Sequence, residues 1–161
     1  MLKGLGFPGT DAERNLEAAR IAEQMRIEWI AQRKTFCLES VFSRTEHWLQ
    51  VIFGALEAGY RVEVYFLCLA DPVLNTVRVE TRVQRGGHAV PADRIAKRYS
   101  GSIQTGLLAR GIVHEFWLYD NSVDRVGPRL LGRFVGGKIS DVTDEIPAWA
   151  VPFFVDGGKS A

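Results

Sequence analysis

Long hydrophobic runs are missing from this chain of 161 residues. The longest, Val64 to Ala70, is far shorter than the roughly 20 residues a membrane-spanning helix needs. The first residues, with Gly4, Gly6, Pro8 and Gly9, lack a signal-peptide apolar core. The expected compartment is therefore the cytoplasm, with no membrane partner. Cysteine is scarce: Cys37 and Cys68 form no metal-ligand spacing, and both fall in expected buried strands, where free thiols are expected rather than a disulfide. An excess of charge is missing too. Twenty Lys and Arg against 19 Asp and Glu leave a formal net charge of +1, so nothing electrostatic argues for nucleic acid or an anionic membrane surface. A basic aromatic strand pair is absent as well, which disfavours an RNA-binding module. There is no internal repeat and no low-complexity segment.

Also absent is a phosphate-cradling G-x-x-x-x-G-K-[ST] loop following a strand and opening a helix, the arrangement that aims backbone N–H groups and a lysine at phosphates. Two stretches imitate it and fail. Gly157-Gly158-Lys159-Ser160 has Phe153 where the first glycine belongs and no room for a helix to open; Gly136-Gly137-Lys138 has Ile139 where the hydroxyl should be.

What is present is the composition of a folded domain, 47% hydrophobic and 24% charged, in one domain's length. From Asp11 to Arg33, Ala18, Ile21, Ala22, Met25, Trp29 and Ile30 recur at helical spacing. Lys34 to Glu39 reads as a short buried strand ending in an acid. Thr45 to Ala58 is helical, with Gly59 just past its end. Arg61 to Leu69 is a strand apolar enough to be covered on both faces. Asp71-Pro72 supplies an N-cap and a first-turn proline for a helix to about Gln84. A second helix runs from Pro91 to about Ala109. Val113 to Tyr119 and Arg129 to Val135 are further strands, and the prolines and glycines after Ile146 mark 146–161 as a tail. Strands alternating with helices predict a parallel α/β sheet, its ligands beyond the carboxyl ends of the strands. That rim holds Glu39, the Asp71 turn and Asp120-Asn121-Ser122.

The densest chemistry lies in Arg82-Val83-Gln84-Arg85-Gly86-Gly87-His88-Ala89-Val90-Pro91, leading into Arg98-Tyr99. Arginines on two helices joined by a Gly-Gly turn suit a lid that closes on phosphate, because guanidinium forks onto phosphate oxygens and stays charged. The plain alternative is a solvated helical hairpin.

Four segments, in order, resemble the zeta-toxin family of P-loop kinases, particularly its short bacterial members, over roughly residues 12–135. They are Phe36-Cys37-Leu38-Glu39-Ser40-Val41-Phe42-Ser43, then Ala58-Gly59-Tyr60-Arg61-Val62, then the Gly-Gly-His-x-Val-Pro block, then Tyr119-Asp120-Asn121-Ser122. The family typically reads Phe-x-x-Glu-Thr-Thr-x-Ser at the first and Arg-Val-x-x-Gly-Gly-His-x-Val-Pro at the third. The resemblance implies a P-loop kinase-like domain over 1–161 whose first strand–loop–helix unit is absent, an N-terminal truncation that in-frame upstream sequence would repair. It implies ATP with Mg²⁺, and transfer of the γ-phosphate to a hydroxyl of a sugar nucleotide such as UDP-N-acetylglucosamine, with a small antitoxin protein as a possible partner. Arg78, Arg82 and Arg98 would act on the phosphates during transfer. Glu39, Ser40 and Ser43 would contact the acceptor, with Val41 departing from the family's threonine. His88, Asp120 and Asn121 would lie near the nucleotide, though His88 as a turn cap and Asp120-Asn121 as a simple turn are the plain readings. The rival expectation is a non-catalytic binding protein that has lost ATP chemistry.

Overall fold

The structure, a computed structural model, describes residues 8–87, 89–123 and 126–155. Its contacts divide the chain into two compact units, Met1–Glu39 with Ala58–Tyr60, and Ser40–Glu57 with Arg61–Ala161. The described residues form an α/β structure with five helices and one four-stranded sheet. No helix among them is long and apolar enough to cross a membrane.

The first unit is built on helix α1, Asp11–Ala31. It starts at a capping box: the Thr10 hydroxyl oxygen accepts from the Glu13 N–H at 3.3 Å, and the Glu13 carboxylate accepts from the Thr10 N–H at 2.7 Å, which holds that carboxyl below its ordinary pKa. After α1 the chain turns through Arg33 at φ +53°. Residues 34–39 form no strand, contrary to the periodicity-based expectation. Their apolar content is met by ring packing instead. Phe36 lies 5.4 Å from Trp29 and 6.1 Å from Tyr60, and the Tyr60 hydroxyl donates to the carbonyls of Trp29 at 2.8 Å and Lys34 at 3.0 Å. Cys37 is consequently exposed and not buried in a strand, whereas Cys68 is buried as expected.

The second unit carries helices α2 (Thr45–Glu57), α3 (Pro72–Gln84), α4 (Ala92–Arg110) and α5 (Val151–Phe154), and strands β1 (Glu63–Cys68), β2 (Glu115–Asp120), β3 (Arg129–Val135) and β4 (Lys138–Val142). The sheet runs β1-β2-β3-β4. The α3–α4 crossover makes β1 and β2 parallel, but β2–β3 and β3–β4 are antiparallel, so the sheet is mixed and not the parallel one expected. The cause is connection length. Only residues 121–128 join β2 to β3, and a parallel return needs a crossover of about a dozen residues or more. Strand β4 follows through Gly136-Gly137, both at positive φ (+55° and +78°), between the paired Val135 and Lys138: the geometry a two-residue type I′ hairpin demands.

One sheet face builds the core. Phe66, Phe116, Leu118, Leu131 and Phe134 alternate inward, and all are buried. Residues 147–155 complete that core and are not the tail their prolines suggested. Pro147 leads into a 3-10 turn, Ala148–Ala150, then α5, and Phe153 sits fully buried 5.6 Å from Phe66 and 5.8 Å from Phe116. The other face is polar and aromatic. The nearly buried Glu115 carboxylate accepts from Arg133 Nε at 2.8 Å and also from Arg61, while the Arg133 guanidinium lies 4.6 Å from the Trp117 ring centroid. Tyr65 stacks on the opposite side of that register, 5.9 Å from Trp117.

Candidate functional site

The carboxyl ends of the parallel strands are tied together by short polar contacts. Asn121 donates its N–H to the Cys68 carbonyl at 2.8 Å, and Ala70 donates its N–H to the Ser122 hydroxyl oxygen at 2.7 Å. Asp120 accepts from the Ser122 N–H at 3.0 Å and from its hydroxyl, and its other oxygen lies 3.7 Å from Arg129. Asp71 caps α3, accepting from Val73 N–H at 2.7 Å, with Pro72 in the first turn. Tyr99 of α4 donates its hydroxyl to the Leu69 carbonyl at 2.9 Å. Burial, the largest cause in each case, pushes the Tyr99 hydroxyl up to about 12 and the neighbouring Cys68 thiol up to about 11. Both are neutral at physiological pH and serve here as structure.

Above this floor lies a cleft of about 300 Å³ between α3, α4, the end of β1 and residues 40–41. Arg82 of α3 and Arg98 of α4 line it from opposite helices, with Ser40 and Val41 on the third side. The chain reverses between the helices at Gly86, φ +87°. Among the described lining residues there is no carboxylate, and Arg82 and Arg98 bring two guanidiniums to it. Ser40 is held by a local turn in which its hydroxyl oxygen accepts from the Phe42 N–H at 2.9 Å, leaving its own O–H to donate outward. Phe42 adopts φ +57°, an uncommon conformation for a bulky residue. Its ring holds it there, packed 5.7 Å from Trp48 and 6.3 Å from Phe66. Ser43 then presses its carbonyl against Gly101 of α4: a Cβ at Gly101 would stand 2.5 Å from that oxygen.

Of the residues singled out in the sequence, the structure brings Ser40, Arg82 and Arg98 to one cleft. Arg78 is not among the cleft's lining residues; its guanidinium donates to the Asn121 carbonyl at 2.8 Å and straps α3 to the end of β2. Asp120 and Asn121 form the turn that locks β1 to β2. Glu39 is exposed and belongs to the first unit, and Ser43 contributes backbone packing against α4. His88 lies outside the described residues. Sequence reasoning put Ser122 on the rim but gave Tyr99 and Cys68 no place at the site. Only Tyr99 carried a signal, an aromatic directly after the cleft arginine.

No group of three or more His, Cys, Asp or Glu among the described residues is placed to hold a metal. Magnesium is ordinarily held by one or two carboxylates plus phosphate oxygens. With no carboxylate in the described cleft lining and Asp120 committed to Ser122 and Arg129, the cleft suits a phosphate group and does not suit Mg²⁺. Comparison with protein-family models, curated proteins and solved structures returns no match.

Proposed function

We propose that the α3–α4 cleft binds a phosphate-bearing ligand, and that the chain carries the acceptor and lid portion of a cytoplasmic, zeta-toxin-like P-loop kinase that moves the ATP γ-phosphate to a sugar-nucleotide hydroxyl. What carries this reading is the convergence of Ser40, Arg82 and Arg98 on one cleft at the carboxyl end of β1. In α/β sheets that is where ligands sit. Two arginines on helices joined at a glycine turn can close on an anion from both sides, and phosphoryl transfer depends on such positioning and charge stabilisation. Arg78 would act by holding α3 in place. The P-loop fold, the acceptor and any antitoxin partner rest on the sequence resemblance.

A second reading, binding without transfer, is favoured by one observation: the sequence contains no G-x-x-x-x-G-K-[ST] loop. Calorimetric titration with inorganic phosphate and with ATP tests the shared part. Phosphate should bind the chain, and Arg82→Ala and Arg98→Ala should each weaken it about tenfold or more, since a hydrogen bond to a charged group contributes about 1.5–3 kcal/mol. Arg85→Ala, a change in the same segment outside the cleft, should leave it unchanged. Equal affinity in all four proteins would overturn the proposal. Release of ADP on adding UDP-N-acetylglucosamine then separates transfer from binding alone.

A further inference from the structure

We infer that the α3–α4 cleft seats a compact apolar or aromatic group of its ligand beside the phosphate, any sugar of a larger ligand lying beyond the cleft. This rests on the reading of the cleft as a phosphate site and specifies what accompanies the phosphate.

Val41, Val79, Val90 and Ile95 share the lining with the guanidiniums, together with Leu69 and Cys68. Ile95, Leu69 and Cys68 are buried, while Val41 is 58% exposed, so a branched apolar side chain is displayed at the rim where a ligand would cover it. The lining's hydroxyls already make contacts within the protein. Tyr99 donates to the Leu69 carbonyl at 2.9 Å, Ser102 donates to the Tyr99 carbonyl at 2.9 Å, and the Ser40 oxygen already accepts from the Phe42 N–H. Burial keeps the Cys68 thiol neutral, so it offers polarizable apolar surface and not charge. Asn75 is the lone amide side chain among the described lining residues.

A sugar ring set against these valines would lose water from its hydroxyls with no partner on that side-chain surface, and each hydroxyl left unsatisfied is costly. A planar or branched apolar group meets no such cost. A tenfold gain, about 1.4 kcal/mol, requires only about 55 Å² of apolar surface removed from water at about 25 cal/mol per Å². At about 300 Å³ the cleft sits at the small end of ligand pockets. It therefore holds one compact group with its phosphate, and the rest of a larger molecule would extend beyond it.

The test is calorimetric titration of the full chain with inorganic phosphate, phenyl phosphate and glucose 1-phosphate. Phenyl phosphate is expected to bind at least tenfold tighter than the other two. Val41→Ser and Val79→Asn should shrink the ratio of phenyl phosphate affinity to inorganic phosphate affinity. Val41 is exposed, so its replacement leaves the fold intact and the comparison interpretable. Equal binding of all three anions would overturn this inference and leave the phosphate site standing. Absence of binding by any of them would overturn the phosphate site itself, and this inference with it.

Discussion

The contact between Ser43 and Gly101 sets the third wall of the cleft, and replacing Gly101 with alanine measures it. Gly101 lies inside α4, where exchanging glycine for alanine ordinarily stabilises by about 0.8–1 kcal/mol through backbone entropy. Here the added Cβ would meet the Ser43 carbonyl oxygen at 2.5 Å and its carbon at 3.4 Å. The obstacle is backbone, so no rotamer change relieves it. Carbon contacts are favourable at about 3.5–4.0 Å, so α4 and the 40–43 segment must part by about 1 Å. Forcing a methyl group into a packed contact costs about 1–3 kcal/mol. Gly54 of α2 supplies the matched control, because it is helical and a Cβ there meets nothing within 4 Å. The helix-propensity gain is common to both variants, so the difference between them isolates the clash. Gly54→Ala should raise stability by about 0.8–1 kcal/mol. Gly101→Ala should fall about 1–3 kcal/mol below Gly54→Ala, which at about 2–4 °C per kcal/mol is a gap of several degrees in Tm. Urea and thermal midpoints followed by circular dichroism read both. Phosphate affinity of Gly101→Ala should also drop, since Ser40 and Val41 ride on the displaced segment. Two variants stabilised equally would refute the close approach and with it the placement of that wall.

Four further outcomes are expected. Arg78→Ala should cost about 1.5–3 kcal/mol and speed amide exchange throughout α3, a helix with no buried residue of its own; unchanged exchange would show that the strap to Asn121 holds nothing. In native protein at pH 8 a thiol reagent should modify Cys37 promptly and Cys68 only after unfolding. Because Cys68 and Tyr99 are acids whose folded pKa values, about 11 and about 12, lie above their ordinary ones, the fold holds more protons than the unfolded chain in that window, so stability should be level below about pH 9 and decline as pH rises through both values. Glu115→Gln should destabilise by about 1–3 kcal/mol, discounted from a fully buried pair because Arg61 and Arg133 are partly solvated, whereas Glu63→Gln should be near neutral; chemical denaturation compares them.

Elements with strong local chemistry were legible in the sequence. Asp71-Pro72 opened α3 and Gly86-Gly87 closed the turn after it, because caps and glycines act through neighbouring atoms alone. Strand β3 fell on Arg129–Val135 as its pattern predicts. Features decided at a distance were harder to see. Phe36-Cys37-Leu38 has the composition of a strand, but a strand exists only where a neighbour supplies the ladder, and here Tyr60 takes the Lys34 carbonyl. The antiparallel return of β3 was written in the shortness of residues 121–128, and β4 in Gly136-Gly137 between two extended runs; both signals were local but needed to be weighed as topology. At the site, the arginines of α3 look alike in sequence. They share a helix face, and one turn along the axis separates Arg82 in the cleft from Arg78 at the Asn121 carbonyl.

The insertion of Phe153 against Phe66 and Phe116 has a consequence for synthesis on the ribosome. Those two rings leave the exit tunnel well before their partner does, so the sheet waits with an open seam in its apolar face while the intervening residues are made. Loss of a buried phenylalanine typically costs about 3–5 kcal/mol, against a total stability of about 5–15 kcal/mol for a typical domain. A nascent chain paused before that residue therefore holds its secondary structure with little margin and displays ring surface to whatever surrounds it. A ring made late in synthesis thus times the maturation of a core that was otherwise assembled from its middle.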